Sequence, residues 1–302
     1  MSAPKAKLTT RVLIYFALLL VAVMCLSACA SVQVHEGEQA IDDVLAEGAR
    51  VMWIAAHPDD ECFGGSIMAR ASLFYHNPLY MLVLNRGDGG ECNLPEGCEP
   101  DLATVRGEEL KKVAKLYHAE LQNEDYYNAP LPVESFPKRH EIAEIWRKHK
   151  DPVLVCAEAI RRFKPTVILT FGPNHGATGH PEHQLASRFA TAGVRMAADP
   201  GVQIGDLPTH RTLNVYYLLN KHWLPRMIGA ADPEPYSQIF DTTQPCDKKM
   251  SCLDTMAEFT KPHRTQSRDM GAVRKLRGLL KKLYLYNVDP FREIADPYEA
   301  VE

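Results

Sequence analysis

Two short runs in this 302-residue chain carry the side chains with the greatest chemical capability. Residues 56–61 read Ala-His-Pro-Asp-Asp-Glu, and residues 179–183 read Gly-His-Pro-Glu-His. Imidazole nitrogens and carboxylate oxygens are typical zinc ligands, and a hydrolytic zinc site uses three of them and leaves a position for water. The two runs supply three ligands and leave further groups for proton transfer.

Each run alone has a simpler explanation. His57-Pro58-Asp59-Asp60 also describes the start of a helix, where an Asp serves as N-cap and acidic side chains complement the helix dipole. His180 and His183 are equally compatible with surface positions beside a helix start. The presence of both runs, each where a strand is predicted to pass into a helix, favours a shared site.

The elements around these runs predict an α/β protein. Apolar segments typical of strands alternate with amphipathic segments typical of helices, which predicts a Rossmann-like, largely parallel sheet with helices on both faces. The predicted strands are residues 50–56, 80–84, 121–127, 166–171 and 213–219, and the predicted helices are 64–75, 103–117, 153–163 and 184–198. Ligands bind at the carboxyl ends of strands in such sheets, so both runs are expected at one edge.

The amino terminus has the pattern of an export signal. Lys5, Lys7 and Arg11 precede an apolar run that ends in Leu-Ser-Ala-Cys at residues 26–29. This ending resembles a bacterial lipobox, which predicts a lipoprotein cleaved before Cys29 and lipidated on it. An uncleaved membrane anchor is the alternative, because the apolar run approaches the length that spans a bilayer. Either way we expect the remainder in the cell envelope, outside the cytoplasm, or in a eukaryote on one face of an internal membrane.

The remaining sequence predicts one globular domain. We expect a signal at residues 1–29, a linker at 30–48 and the domain at 49–302. Apolar residues make up 46% of the chain and charged residues 24%, which is ordinary for a soluble α/β domain. The net charge of −4 argues against nucleic acid as a partner. The cationic stretch at residues 274–282, with leucines extending to Leu285, predicts an amphipathic carboxyl-terminal helix.

The cysteines fit an oxidising compartment. Cys92 with Cys98, and Cys246 with Cys252, form two short-range pairs in turn-rich sequence, which suits local disulfides. Neither pair has the spacing of a zinc ribbon. Cys62 and Cys156 lie in apolar segments and are interpreted as small core residues.

The residues named above also resemble a known family, the zinc-dependent LmbE-like or PIG-L deacetylases. Its members include the de-N-acetylase of glycosylphosphatidylinositol synthesis and the deacetylases of mycothiol and bacillithiol synthesis. Ala-His-Pro-Asp-Asp-Glu matches the family's first motif, and Gly-His-Pro-Glu-His is similar to its His-Pro-Asp-His motif, with Glu182 in place of Asp. Arg106-Gly-Glu-Glu-Leu and His263-Arg-Thr-Gln resemble two further elements.

The resemblance implies a role for each matching residue. His57, Asp60 and His183 would hold the zinc ion, with iron and other divalent metals also compatible. Asp59 would be the general base, and His180 would stabilise the oxyanion as an imidazolium or as a hydrogen-bond donor.

Three residues are expected to contact substrate. The resemblance implies that Arg106 binds a hydroxyl or phosphate and that His263 lines the site. Asp88, in the glycine-rich turn after the second predicted strand, is a candidate for binding sugar hydroxyls or a plain turn former. Glu61 is interpreted as a structural acid at a helix start.

The function expected is removal of an N-acetyl group from an amino sugar or glycoconjugate. A metal-dependent amidase or esterase acting on a non-sugar small molecule is the first alternative, since the same metal and Asp59 would serve it. A binding lipoprotein that has lost its chemistry is the second. The complete set of candidate site residues argues against that reading.

Overall fold

Five parallel strands form the centre of the protein in the computed structural model, which describes residues 38–221, 231–232, 234–247, 249–292 and 295–300. The strand order is β3-β2-β1-β4-β5-β7-β6, and the last two strands run antiparallel to their neighbours. The strands are β1 (Val51–Ala55), β2 (Leu79–Asn85), β3 (Ala119–Tyr126), β4 (Val167–Phe171), β5 (Asn214–Leu219), β6 (Gln238–Asp241) and β7 (Lys282–Val288). The predicted α/β class with a largely parallel sheet is confirmed.

Helices cover both faces of this sheet. They are α1 (Ile41–Ala46), α2 (Glu61–Ala69), α3 (Leu102–Leu116), α4 (Arg139–His149), α5 (Pro152–Phe163), α6 (Pro181–Ala198), α7 (Cys252–Phe259) and α8 (Ser267–Leu276). A π-helical segment, Arg70–Phe74, continues α2, and short 3-10 turns occupy Val133–Ser135 and Arg277–Leu279.

Strand β1 shows how the two faces are filled. Its side chains alternate, so Met52 and Ile54 pack with α5 and α6 on one face, and Val51 and Trp53 pack with α2 and α3 on the other. All five β1 residues are buried, which is the pattern of a central parallel strand covered on both sides. Burial continues past β1 into Ala56 and His57, so the first motif begins inside the core.

The carboxyl-terminal prediction was wrong in part. Helix α8 ends at Leu276, and Leu283 and Leu285 lie in β7 rather than in a helix. Strand β7 pairs with both β5 and β6, so the hydrogen bonds of the sheet outweigh the local helical pattern of leucines.

The structure describes part of the predicted linker but not the predicted signal. Within the expected linker, α1 is a helix whose Ile41 and Leu45 are buried in the core. The export signal, the lipobox and Cys29 lie outside the described residues. Among residues that are described, no helix combines the length and apolarity that a membrane crossing requires.

The cysteine predictions agree with the structure. Disulfides join Cys92 to Cys98 and Cys246 to Cys252, while Cys62 and Cys156 are buried as free thiols. The first disulfide lies in the loop between β2 and α3, and the second holds the start of α7.

Candidate active site

The two motifs meet at the carboxyl edge of the sheet, as predicted. The Ala56–Glu61 motif connects β1 to α2, and the second motif connects β4 to α6, with His180 as the N-cap of α6 and Pro181 at its first position. Proline suits that position because its missing N–H has no acceptor in the first turn. Strands β1 and β4 are hydrogen-bonded neighbours, so their following loops converge.

Three predicted ligands have their polar atoms in contact. His57 Nδ1 lies 3.1 Å from His183 Nε2. Asp60 completes the group, with Oδ1 at 2.9 Å from His183 Nε2 and Oδ2 at 3.3 Å from His57 Nδ1. All three side chains are at least nine-tenths buried. One buried carboxylate and two imidazoles therefore point at a common centre.

The outer nitrogens of the two histidines are already engaged. His57 Nε2 donates to Glu182 Oε2 at 2.6 Å, and His183 Nδ1 donates to the carbonyl oxygen of Gly176 at 2.9 Å. When both rings are neutral, as metal ligation requires, these partners leave the inner nitrogens as lone-pair acceptors facing the Asp60 carboxylate. Three converging acceptors repel one another unless a cation lies between them, so the residues fit a divalent metal ion.

A wider cluster includes His180. Ligand atoms of His57, His180 and His183 all lie within 4.8 Å of one another. His180 Nδ1 accepts a hydrogen bond from the backbone N–H of Glu182 at 3.2 Å, which leaves Nε2 to carry the proton. His180 is thus placed beside the convergent centre as a hydrogen-bond donor.

Charges in the site shift the pKa values strongly. Burial disfavours a charged His57, but the carboxylates of Asp60 and Glu182 outweigh it and raise the pKa to about 10. Burial alone would raise the pKa of Asp60, but His183 and His57 hold it well below its usual range. A centre that draws a proton this strongly also attracts a metal cation. Burial, with His57 and His183 nearby, lowers the pKa of His180 to about 2, which keeps that ring neutral.

Asp59 lies beside this centre in a strained conformation. Its φ is +93°, an uncommon value for a residue other than glycine. Its N–H donates to Glu61 Oε2 at 3.0 Å, and its carboxylate lies 3.1 Å from the Arg106 guanidinium. Burial raises the pKa of Asp59 to about 6 although Arg106 opposes that rise. Two neighbours therefore hold a carboxylate whose pKa suits proton transfer near neutral pH.

Arg106 holds the backbone and the carboxylate of the first motif in position. Its guanidinium donates to the carbonyl oxygens of Gly87 at 2.8 Å and Pro58 at 2.5 Å, in addition to contacting Asp59. A Cβ at Gly87 would lie 2.4 Å from this guanidinium, and the φ of Gly87 is +70°, so glycine is required there. Arg106 lines the cavity, and its contact with substrate stays a prediction.

The other predicted substrate contacts are placed differently. His263 is buried and hydrogen-bonds through Nε2 to Glu61, so it lies behind Asp59 rather than in the cavity. Asp88 is exposed in the turn after β2 and does not line the cavity that the described residues form. Glu61 is more than a helix-start acid, because it links His263 to the backbone of Asp59.

Sequence analysis missed the most heavily engaged carboxylate of the site. Glu182 is fully buried and accepts hydrogen bonds from His57, from the side chains of Asn85 and Asn128, and from the backbone of Ala129. The position of Glu182 inside the second motif was one sequence signal that could have identified it. A second signal was Asn85, a polar residue at the end of an apolar strand. The convergence of the two asparagines required the fold.

The motif at Arg106 has a second function that the sequence did not reveal. Glu109, one turn further along α3, accepts hydrogen bonds from the backbone and hydroxyl of Thr265. This contact ties the segment before α8 to the site, where Gln266 and Asp269 join the lining. Helix α8 thus closes one side of a cavity of about 340 Å³.

A buried two-histidine, one-carboxylate cluster at the carboxyl edge of a doubly covered parallel sheet defines an α/β protein with a candidate metal-binding site. Residues 52–194 match the family described as PIG-L: GlcNAc-PI de-N-acetylase. This region of the chain is therefore similar to the PIG-L family, as the sequence resemblance indicated.

One curated relative is the 1D-myo-inositol 2-acetamido-2-deoxy-alpha-D-glucopyranoside deacetylase 2 of Catenulispora acidiphila. It is 28% identical over 171 residues, which cover 53% of this chain and 55% of that protein. The chain thus spans about half the length of the curated relatives it matches.

Two solved structures share the fold. The N,N'-diacetylchitobiose deacetylase of Pyrococcus horikoshii aligns with a TM-score of 0.57 at 15% identity, covering 83% of this chain and 91% of that one. The 4-carboxy-2-hydroxymuconate hydratase GalB of Pseudomonas putida KT2440 aligns with a TM-score of 0.56 at 17% identity, covering 84% and 100%. Because a deacetylase and a hydratase share this fold, the fold alone does not determine the reaction, which must be inferred from the site.

Proposed function

We propose that this protein is a zinc-dependent hydrolase that removes an N-acyl group, acetyl in the simplest case, from an amino sugar or glycoconjugate. The observation that carries the proposal is the convergence of His57, Asp60 and His183 with Asp59 and His180 beside them. The match of residues 52–194 to the PIG-L family and the deacetylase names of the curated relatives support the same reaction.

His57, Asp60 and His183 would hold the metal. Asp60 fits the third position better than His180, because its oxygens lie 2.9 and 3.3 Å from the two inner nitrogens. Zinc bound there supplies Lewis-acid polarisation of the amide carbonyl and lowers the pKa of a water molecule. The same ligands accept iron, so metal analysis must decide between them.

Asp59 performs the proton transfers. With a pKa near 6 it is ionised at neutral pH and accepts a proton from the attacking water. It then returns that proton to the amine nitrogen as the C–N bond breaks. Arg106 and Glu61 hold the carboxylate and the backbone of Asp59 in position during both transfers.

His180 stabilises the developing oxyanion as a neutral donor. The engaged Nδ1 leaves Nε2–H to face negative charge on the carbonyl oxygen, and the lowered pKa favours the neutral ring over an imidazolium. Removing one such donor typically costs on the order of 3 kcal/mol in the barrier.

The cellular setting belongs to the same proposal. The signal-like sequence at residues 1–29 and the lipobox cysteine Cys29 support a cell-envelope hydrolase anchored to the membrane by lipid, or by an uncleaved anchor. Residues 49–302 would form its deacetylase domain.

Acetate release from N-acetylglucosamine conjugates by the metal-loaded full-length protein tests the reaction. We expect one zinc per chain and acetate release that Asp59→Asn abolishes while zinc is retained. Asp206→Asn, at an exposed position, is the matched control and should behave as wild type. Turnover confined to non-sugar amides or esters would favour the alternative hydrolase, and a protein without metal would overturn the mechanism.

A further inference from the structure

A second cavity lies directly beside the metal-site cavity. Its volume is about 320 Å³, and it lies between α2, β5, α7, α8 and β7. Apolar side chains form nearly all of its wall: Phe63, Ala177, Leu218, Leu219, Met256, Ala272, Val273, Leu276, Leu279, Leu280 and Leu283. Leu276 and Leu279 remain 56% and 45% exposed among the described residues, so the apolar wall extends to the mouth of the cavity.

The two cavities share part of their walls. Cys62, Phe63 and Val273 line both of them. Cys62 follows the ligand Asp60 by two residues, and the Phe63 ring centroid lies 6.1 Å from that of His183. The apolar cavity therefore begins one side chain away from the reacting centre.

The remaining walls of the metal-site cavity are more polar. Arg106, Asn128 and Gln266 line it together with the backbone of Gly89 and Gly90. An amide substrate places two different groups at the centre, because the nitrogen carries the sugar and the carbonyl carbon carries the acyl chain. The polar groups suit the sugar, and the side formed by Cys62, Phe63 and Val273 also borders the second cavity.

We propose that the second cavity receives the aliphatic chain of the substrate's N-acyl group, so the preferred acyl group is longer than acetyl. This inference rests on the proposed function. The reaction remains hydrolysis: water adds to the carbonyl carbon, the C–N bond breaks, and a fatty carboxylate and a protonated amino sugar are released. Full burial of one methylene raises kcat/KM by up to about fourfold, and partial burial raises it by less.

A series of glucosamine conjugates with N-acetyl, N-butanoyl, N-hexanoyl and N-octanoyl groups tests this preference. The full-length protein is used in lipid nanodiscs, since the alkyl chain of a detergent would compete for the cavity. We expect kcat/KM to rise at least tenfold from acetyl to octanoyl. Equal values across the series would overturn the inference and leave deacetylation intact.

Substitutions on α8 test whether the second cavity is the source of this acyl-chain preference. Ala272 lines only the apolar cavity of the two, and Ala272→Trp should reduce the octanoyl-to-acetyl ratio to near one. Ala272→Met is a milder variant with an intermediate ratio. Lys275→Trp, exposed on the same helix and outside the lining, should keep the wild-type ratio. An unchanged ratio in Ala272→Trp would contradict the assignment.

Two further experiments distinguish an acyl-chain site from a site for a chain on the sugar, and distinguish failure of this inference from failure of the proposed function. The octyl glycoside of N-acetylglucosamine carries its chain on the sugar, and a gain for it without a gain for N-octanoyl substrates would overturn the proposal. Calorimetry on the zinc-loaded protein compares octanoate with acetate. Tighter octanoate binding that Ala272→Trp removes, in a protein that hydrolyses no amino sugar, would support the cavity while refuting the proposed function.

Discussion

Glu182 Oε2 lies 2.6 Å from His57 Nε2, and this contact makes a fully buried carboxylate the outer partner of a proposed metal ligand. The contact orients the ring and increases the electron density at the inner nitrogen. It also places one negative charge behind the cluster, where two asparagine side chains and a backbone N–H satisfy the remaining lone pairs.

Replacing that charge should weaken metal binding. We expect Glu182→Gln to lose roughly 10- to 100-fold in zinc affinity, because the amide neither carries charge nor accepts as strongly. Competition with a chromophoric chelator measures the affinity. Glu258→Gln, on an exposed position of α7, is the matched control. Wild-type affinity in Glu182→Gln would show that the contact is structural only.

Arg106→Lys should slow turnover more than it weakens binding. Lysine lacks the planar fork that reaches the carbonyls of Pro58 and Gly87 and the carboxylate of Asp59 together. We expect kcat to fall by at least tenfold with KM changed much less. The guanidinium lowers the pKa of Asp59 from 3.1 Å, and a lysine ammonium that lies farther away should therefore move the acidic limb of the pH–kcat profile to higher pH. A purely raised KM would instead indicate direct substrate contact.

The free energy of unfolding should decrease as pH rises, because of Glu234. Burial, with Asp232 nearby, raises the pKa of Glu234 from its ordinary 4.5 to about 7. The folded protein therefore binds a proton that the unfolded chain releases between those values, and this contribution to stability is lost as pH rises through about 7. Compared with wild type, Glu234→Gln should gain more stability at pH 8 than at pH 5.

The expected gain of Glu234→Gln at pH 8 is on the order of 2 kcal/mol. Urea unfolding at the two pH values measures it, with the exposed Glu120→Gln as control. A difference between variant and wild type that is the same at both pH values would contradict the shifted ionisation.

The two disulfides offer a matched comparison, since each closes a loop with a sequence separation of 6. Loop closure of this length contributes about 2 kcal/mol to the free energy of unfolding. Cys92→Ala with Cys98→Ala should cost about that amount. Cys246→Ala with Cys252→Ala should cost more, because both sulfurs are fully buried in the core. Equal losses in urea unfolding would show that burial of the second pair adds nothing.

Much of the fold follows from local patterns in the sequence. The five parallel strands were predicted close to their observed bounds. Strands β1, β2, β4 and β5 read as continuous apolar runs because they are buried in the sheet, whereas the edge strand β3 is polar and mostly only partly buried. The antiparallel β7 was missed because its leucines also fit a helix, and only pairing with β5 and β6 decides between the two.

The sequence by itself determined the chemistry available to this protein. The two histidine-proline motifs, their places after β1 and β4, and the resemblance they carry indicate a metal-dependent hydrolase. Residue types and spacing suffice for this, because the carboxyl ends of parallel strands always share one edge of the sheet.

Only the tertiary structure decided which distant residues support that chemistry. Glu182 behind His57, Arg106 and Glu61 behind Asp59, and the apolar cavity beside the site depend on contacts between residues far apart in the chain. His263 illustrates the reason, since a short motif suggested a lining residue and packing placed it behind Glu61. Side-chain direction and burial are set by neighbours from other elements, which no local pattern encodes.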